Sequence, residues 1–478
     1  MKKIMTRLLS LVLLGTFIPS FVLAADWDLD KGSITVSATV ESQTVSQAGG
    51  ASAVDSNPVI TSSSGTTNNT VTITAEKNAT ANVTLENVNI DTGKIGGAAI
   101  TTSGEGNVNI ELDGTNTVQS GNTHAGVEKK DNGTLTITDE NKDGNLTANG
   151  GGVGGAGIGG GYGGSGSNIT IEGGKVTATG GFAGAGIGGG AGGSGSNITI
   201  EGGKVEATGG FDGAGIGGGA GGSGSNITIS DGKVTATGGG AGAGIGGGYI
   251  GSGKGITIEG GEVTAQGDTG GAGIGGGANG TGSDVTISGD AQVKVQGGRA
   301  NEHWHKGAAI GNGGTSTTDG NEVFPNTSDL TVEGSIQIYE PGKNINTDTP
   351  DKTITGTVGE HSWNAGVVTA ETVPESKTAA YWVCDPEGQS IPYQAQQKDG
   401  VLTVTVQADT ASLRGTTGSL GQLEAQGIAE IRFVTKGAQS AFTLADLLAS
   451  GTGSFTLTHE AETVTFTLES TDISKILK

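Results

Sequence analysis

Residues 195–223 read GSNITIEGGKVEATGGFDGAGIGGGAGGS. Two short stretches in this unit, Ile198-Thr199-Ile200-Glu201 and Val205-Glu206-Ala207-Thr208, alternate apolar and polar side chains. Period-two alternation marks extended segments with one buried face. Gly202-Gly203 between them is a turn signal. A third stretch, Gly213 to Gly219, carries a single large side chain, Ile216. No helical periodicity runs through the unit.

The unit repeats every 29 residues. Ile158, Ile187, Ile216, Ile245 and Ile274 form one column, and Ile169, Ile198, Ile227, Ile256 and Val285 a second. Val176, Val205, Val234 and Val263 form a third, with Val293 one residue out of step. Disordered glycine-rich sequence has no reason to hold three columns in register, whereas stacked coils require it. Three strands and three turns per unit predict an all-β, single-stranded, right-handed parallel β-helix, with Ile187, Ile198, Ile200, Val205 and Ile216 pointing inward. A lone coil buries too few aliphatic groups to fold, so the units must stack.

The pattern reaches beyond the perfect copies. Ile100 and Val127 precede Ile158 at 27 and 31 residues, and Ile310 follows Ile274 at 36. With earlier segments at Val71–Ile73 and Val83–Leu85 and later ones at Leu330–Val332 and Ile336–Ile338, the count is about nine coils, a rod of ~40 Å. The expected organisation is a signal peptide at 1–24, an N-terminal cap or linker at 25–70, the β-helix at 71–340 and a β-rich domain at 351–478. In that last region larger apolar residues replace glycine. Val401–Val406 and Phe455–Thr458 alternate as strands, Ala445–Ala449 reads as a short helix, and the whole resembles a sandwich.

The N-terminus sets the compartment. Lys2, Lys3 and Arg7 precede an apolar run from Leu8 to Val22, with Val22-Leu23-Ala24 as a small-residue cleavage site. This pattern predicts export, with Ala25 as the new N-terminus, and not a membrane span. The expected location is extracellular, or at the cell surface. Net charge is −23 and becomes −26 without the three basic leader residues (−23 − 3). Such a field repels phosphate backbones and argues against a nucleic-acid partner. Cys384 is the only cysteine, so no intramolecular disulfide forms.

The stretches NVNIELDGTNTV (107–118) and GTLTIT (133–138), followed by tandem GAGIGGG…NITIEGGKVTATGG, resemble secreted glycine-rich right-handed β-helix proteins of gut and clostridial bacteria. The resemblance covers about residues 80–340. Some of those proteins are classed as polysaccharide-binding, so the resemblance implies a polysaccharide or host-surface glycan as partner. The periodicity itself implies only coils.

Several motif matches carry no chemistry. Gly155 to Gly160 fits GxGxxG, but it recurs in every perfect coil and opens no helix, which argues against a dinucleotide. Calcium-binding nonapeptide repeats need Asp where this chain has Gly159, Gly188 and Gly217. Asn168, Asn197 and Asn226 lie in N-x-T sequons and read as strand caps. Thr170, Thr199, Thr228, Thr257 and Thr286 form an outward file that suits an exposed strand or matches a regular array of hydroxyls. Glu172, Glu201, Asp231 and Glu259 form an acidic file able to hold a cation such as calcium. No cofactor is expected.

Two places carry richer chemistry. Phe182 and Phe211 share the corner before the third strand, where a planar pair either stacks on sugar rings or packs as a ladder. The 36-residue step holds an insertion with Arg299, Glu302, His303, Trp304, His305 and Lys306. Insertions on solenoids form loops that carry binding. Trp304 suits a sugar ring or a cap over the core, and His303 and His305 are potential metal ligands lacking a full set. The perfect coils offer Gly, Ala, Ser and Thr where a glycan-cleaving site needs clustered carboxylates. The expected class is therefore a non-catalytic binding protein. A structural or adhesive rod and a polysaccharide lyase or hydrolase stand as alternatives.

Overall fold

A computed structural model describes residues 26–355 except 131, 324, 328–329 and 332. It also describes 381–478 except 386–390, 392, 399, 418–422, 425–426, 461–462 and 470. The expected signal peptide and Ala25 lie outside the described residues, as does Val332. The chain divides into two compact units at residue 356.

The first unit is a parallel β-solenoid with three faces. Gly195–Ile200 and its equivalents build the first, Lys204–Thr208 and its equivalents the second, and the two-residue strand Ile216–Gly217 and its equivalents the third. The columns read from sequence are the observed register. Ile198 pairs with Ile169 and Ile227, Val205 with Val176 and Val234, and Ile216 with Ile187 and Ile245. The aliphatic side chains in these columns are buried and form one continuous core, while Thr228 stays on the outer side.

The glycines of the third face are dictated by how closely coils approach. Gly217 has φ +133°, and a Cβ there would run into the carbonyl oxygen of Gly246 and lie 2.9 Å from its carbon. Gly159, Gly188, Gly246 and Gly275 repeat the arrangement. The GxGxxG pattern thus reflects coil-to-coil contact. The Asn column has a similar cause. Asn168, Asn197 and Asn226 adopt φ of 56°, 52° and 51°, which Asn tolerates better than most residues. Their amides form a ladder: Asn197 Nδ2 donates to Asn168 Oδ1 at 2.9 Å, and Asn226 Nδ2 to Asn197 Oδ1 at 3.2 Å. They sit within strands as left-handed kinks, not at strand starts as caps.

The first face holds ten parallel strands, more than the nine coils counted from sequence. The difference lies at the N-terminus. Asp26–Asp28 pairs with Val59–Thr61, and Ile34–Ala38 pairs in parallel with Val71–Ala75. Residues 26–61 therefore supply coil strands as well as a cover, and the cover itself is the antiparallel Gln43–Gln47 with Ala53–Val54. At the other end Lys352–Thr355 runs antiparallel to Ser335–Tyr339. On the third face Glu322 takes the place of a next strand after Ile310–Gly311. Its carboxylate accepts from the backbone N–H of Ala309 at 2.7 Å and Ile310 at 3.0 Å. Burial raises its pKa, partly opposed by those two N–H groups.

The second unit has two sheets around one core. One holds Tyr381–Cys384, Thr410–Thr416, Ser454–Glu460, Thr463–Leu468 and Thr471–Asp472. The other holds Tyr393–Lys398, Val401–Val406, Glu430–Val434 and Gln439–Thr443. Pairing is antiparallel except between Val401–Val406 and Glu430–Val434. Phe433, Phe442, Phe455 and Phe466 fill the core. A helix, Leu444–Ser450, is capped by the Thr443 hydroxyl accepting from Asp446 N.

Candidate functional site

Adjacent coils place equivalent residues about 4.8 Å apart, so identical aromatics one period apart must meet. Phe182 and Phe211 do: their centroids are 5.3 Å apart and their planes differ by 7°. They are 61% and 59% exposed. Val153 occupies the same repeat position one coil earlier and is also exposed. The file ends at Gly240, where φ is +42° and any Cβ would collide with the Phe211 carbonyl.

A second file lies after the third strand: Tyr162, Ala191, Ala220, Tyr249 and Ala278. It interleaves with the first through the backbone. Tyr249 N donates to the carbonyl of Asp212, next to Phe211, at 2.8 Å, and Ala191 N donates to Gly154, next to Val153, at 2.7 Å. Tyr162 is 63% exposed. Asp212 is partly buried here, and desolvation raises its carboxyl pKa.

The insertion reaches this same edge. Ile310 returns to register with Ile274, so the additional residues of that coil loop outward. Asn301 turns the loop: its Oδ1 accepts from His303 N and Trp304 N, both at 2.8 Å, and its N–H donates to the Trp304 carbonyl at 2.8 Å. This turn lays Trp304, half-buried, against Tyr249 with centroids 5.5 Å apart and planes tilted by 57°. Gly270 leaves room for it, since a Cβ there would be 3.0 Å from Trp304 Cβ. Arg299 stays on the coil through its carbonyl, which accepts from Gly270 N at 3.0 Å.

The two histidines are held apart by different carboxylates. His303 Nε2 lies 3.4 Å from Glu302 Oε1, and His305 Nδ1 lies 3.3 Å from Asp319 Oδ1. Among the described residues, no three His, Cys, Asp or Glu side chains converge as a metal site. The expected acidic file is broken, since Ser230 and not Asp231 is in register with Glu201 and Glu259; nearby the surface carries Lys233 as well as Asp231, Glu262 and Asp290, with Lys233 paired to Glu262 at 2.5 Å.

The Phe corner and the loop, separate candidates in the sequence, therefore belong to one exposed edge. Tyr162, Phe182, Phe211, Tyr249 and Trp304 follow one another along the stack. Sequence reasoning did not find Tyr249 as the link, although its shared position with Tyr162 was a signal.

The family described as Beta helix repeat matches residues 169–191, 198–220, 227–249 and 256–278. Each match runs from the first-face isoleucine through the Phe corner to the position of Tyr249. These four stretches carry the β-helix repeat, in keeping with the parallel solenoid of the first unit. No curated protein and no solved structure matches it. The repeats of this β-helix protein account for its coils and the spacing of its edge. No helix among the described residues is long and apolar enough to cross a membrane.

Proposed function

We propose that this is an exported, non-catalytic β-helix protein that binds polysaccharide along its aromatic edge. The observation that carries the reading is the exposed Phe182–Phe211 pair, whose parallel rings stack on each other. Exposed apolar groups gathered in one patch mark interaction surfaces. Stacked rings in a file present their apolar edges to a polymer lying along them. Tyr249 and Trp304 extend the row, and Arg299, Glu302 and His303 stand beside it to meet hydroxyls. The edge is long and shallow, which favours a chain-like ligand over a small molecule. The basic and apolar leader supports export, tested by N-terminal sequencing of the secreted protein, with Ala25 expected first.

Affinity electrophoresis against a panel of soluble polysaccharides tests the binding reading. Wild-type protein should be retarded by at least one glycan, and Phe182→Ala/Phe211→Ala should lose about tenfold or more in affinity. Binding that survives this double substitution unchanged moves the site elsewhere. Absence of binding to any glycan favours the structural or adhesive rod.

A further inference from the structure

The glycine column of the third face has an ionic neighbour. Glu128 is in register with Gly159 and is 2% exposed. Its Oε2 accepts from His124 Nδ1 at 2.6 Å and from Ala125 N at 3.2 Å. Its Oε1 lies 2.7 Å from Lys130 Nζ. Removing a carboxylate from water costs several kcal/mol unless partners compensate. Here two side chains and a backbone N–H do so, and both side chains reach the surface: His124 is 31% exposed and Lys130 51%.

This cluster continues the aromatic edge. Tyr162 N donates to the carbonyl of Thr123 at 2.7 Å, and Val153 N to that of Asn122 at 2.8 Å. Gly161, beside Tyr162, is so close that a Cβ there would lie 3.1 Å from Glu128 Oε2. His124 thus occupies the rung before Val153 and Tyr162, and Phe182 N bonds to Gly152 O at 3.3 Å on the next.

Glu128 fixes what this rung presents. With Nδ1 held by Glu128, His124 is fixed beside Lys130 with its other ring nitrogen, Nε2, left over. Lys130 has three N–H donors and no acceptor. The Lys130 ammonium, half exposed beside His124, matches a group that only accepts. We propose that His124 and Lys130, seated on Glu128, form a subsite for the carboxylate of an acidic sugar, with the neighbouring sugars of the chain on Tyr162 and the Phe pair. The proposal rests on the polysaccharide reading above. The net charge of −23 opposes a polyanion at long range. Physiological salt screens exposed charges beyond ~8 Å, so the local donors decide contact.

The test compares polygalacturonate with its fully methyl-esterified form, which keeps the backbone and loses the charge. The full chain is used, with binding measured by titration calorimetry. Wild-type protein should prefer polygalacturonate. Lys130→Met/His124→Gln should weaken that binding about tenfold or more and leave the esterified polymer unaffected. Phe211→Ala should weaken both. Equal affinity of wild type for the two polymers, or no effect of the double variant, overturns the subsite while leaving the polysaccharide reading in place. Failure to bind any glycan overturns both. Thermal unfolding checks the fold of each variant. If the double variant unfolds, Lys130→Met alone decides, since its side chain is half exposed and its loss must still reduce preference for the charged polymer.

Discussion

Replacing Gly217 with alanine should split the solenoid, whereas the same change at Gly221 should not. At Gly217 the new Cβ would overlap the Gly246 carbonyl oxygen and lie 2.9 and 3.2 Å from its carbon and Cα. Restoring contact distances requires the coils to part by about 1 Å. That opens three ladder bonds: Gly215 N to Ala243 O at 3.1 Å, Ile216 N to Gly244 O at 3.0 Å and Gly218 N to Gly246 O at 2.9 Å. Each buried bond contributes about 1 kcal/mol. Holding alanine at φ +133° adds about 1–3 kcal/mol of strain. The total is about 4–6 kcal/mol. Gly221 also has positive φ, +79°, but its Cβ would meet nothing nearer than 4.0 Å. Its cost is the left-handed penalty alone, about 1–2 kcal/mol. Urea unfolding followed by circular dichroism measures the difference. Gly217→Ala should unfold at clearly lower urea than Gly221→Ala, and equal midpoints would refute coil contact as the reason for the glycine column.

Three further outcomes are expected. Ile216→Asp places a charge among fully buried aliphatic residues and should cost several kcal/mol, while Thr228→Asp on the outer side should stay within about 0.5 kcal/mol; matching melting temperatures would reverse the inward and outward assignment. Trp304→Ala should weaken glycan binding about tenfold or more, with only a small fall in melting temperature because the ring is half-buried against Tyr249; a large fall with intact binding would make it a cap. In the second unit, desolvation lowers the pKa of buried His459, whose nitrogens meet Thr435 Oγ1 at 3.1 Å and Ser440 Oγ at 3.0 Å. A depressed folded pKa gives stability that is present above the unfolded value of about 6.5 and lost as pH falls through the folded one. Calorimetry between about pH 5 and 7 should show the unit weakening in acid, and His459→Gln should flatten the trend; carboxylates such as Asp472, held low by Ser474, act only below about pH 4.

The coil columns were legible because stacking converts sequence period directly into spatial register. The same logic made the Phe182–Phe211 contact readable, since two rings one period apart have only one coil rise between them. Asp26–Asp28 and Val59–Thr61 were not legible as coil strands because they carry none of the repeat's signature. Trp304 meeting Tyr249 depends on the path of an insertion, which period says nothing about. In the second unit alternation identified Val401–Val406 and Phe455–Thr458 as strands, and the short helix was found one residue wider at each end. Alternation assigns faces, not partners, so the order of the two sheets was hidden. His124, Glu128 and Lys130 escaped because their coil lies outside the perfect copies. Aligning Glu128 with the glycine column would have exposed it.

The interior rules of this solenoid also decide where its chemistry sits. In the perfect coils, close contacts fill the third-face column with glycine, and the inward columns hold aliphatic groups. The edge is different. At the position of Phe182 and Phe211, large side chains point away from the stack and displace nothing. At the position of Tyr249 the chain tolerates alanine or tyrosine without changing register. In those coils sequence there varies at little cost to stability, until Gly240 closes the Phe file. A site made this way is a line of weak, repeated contacts, not a pocket. On the proposed polysaccharide reading, each ring would add a modest increment, and affinity would come from how many the ligand spans together. A polymer with its own regular repeat is the ligand that such a line can engage along its whole length.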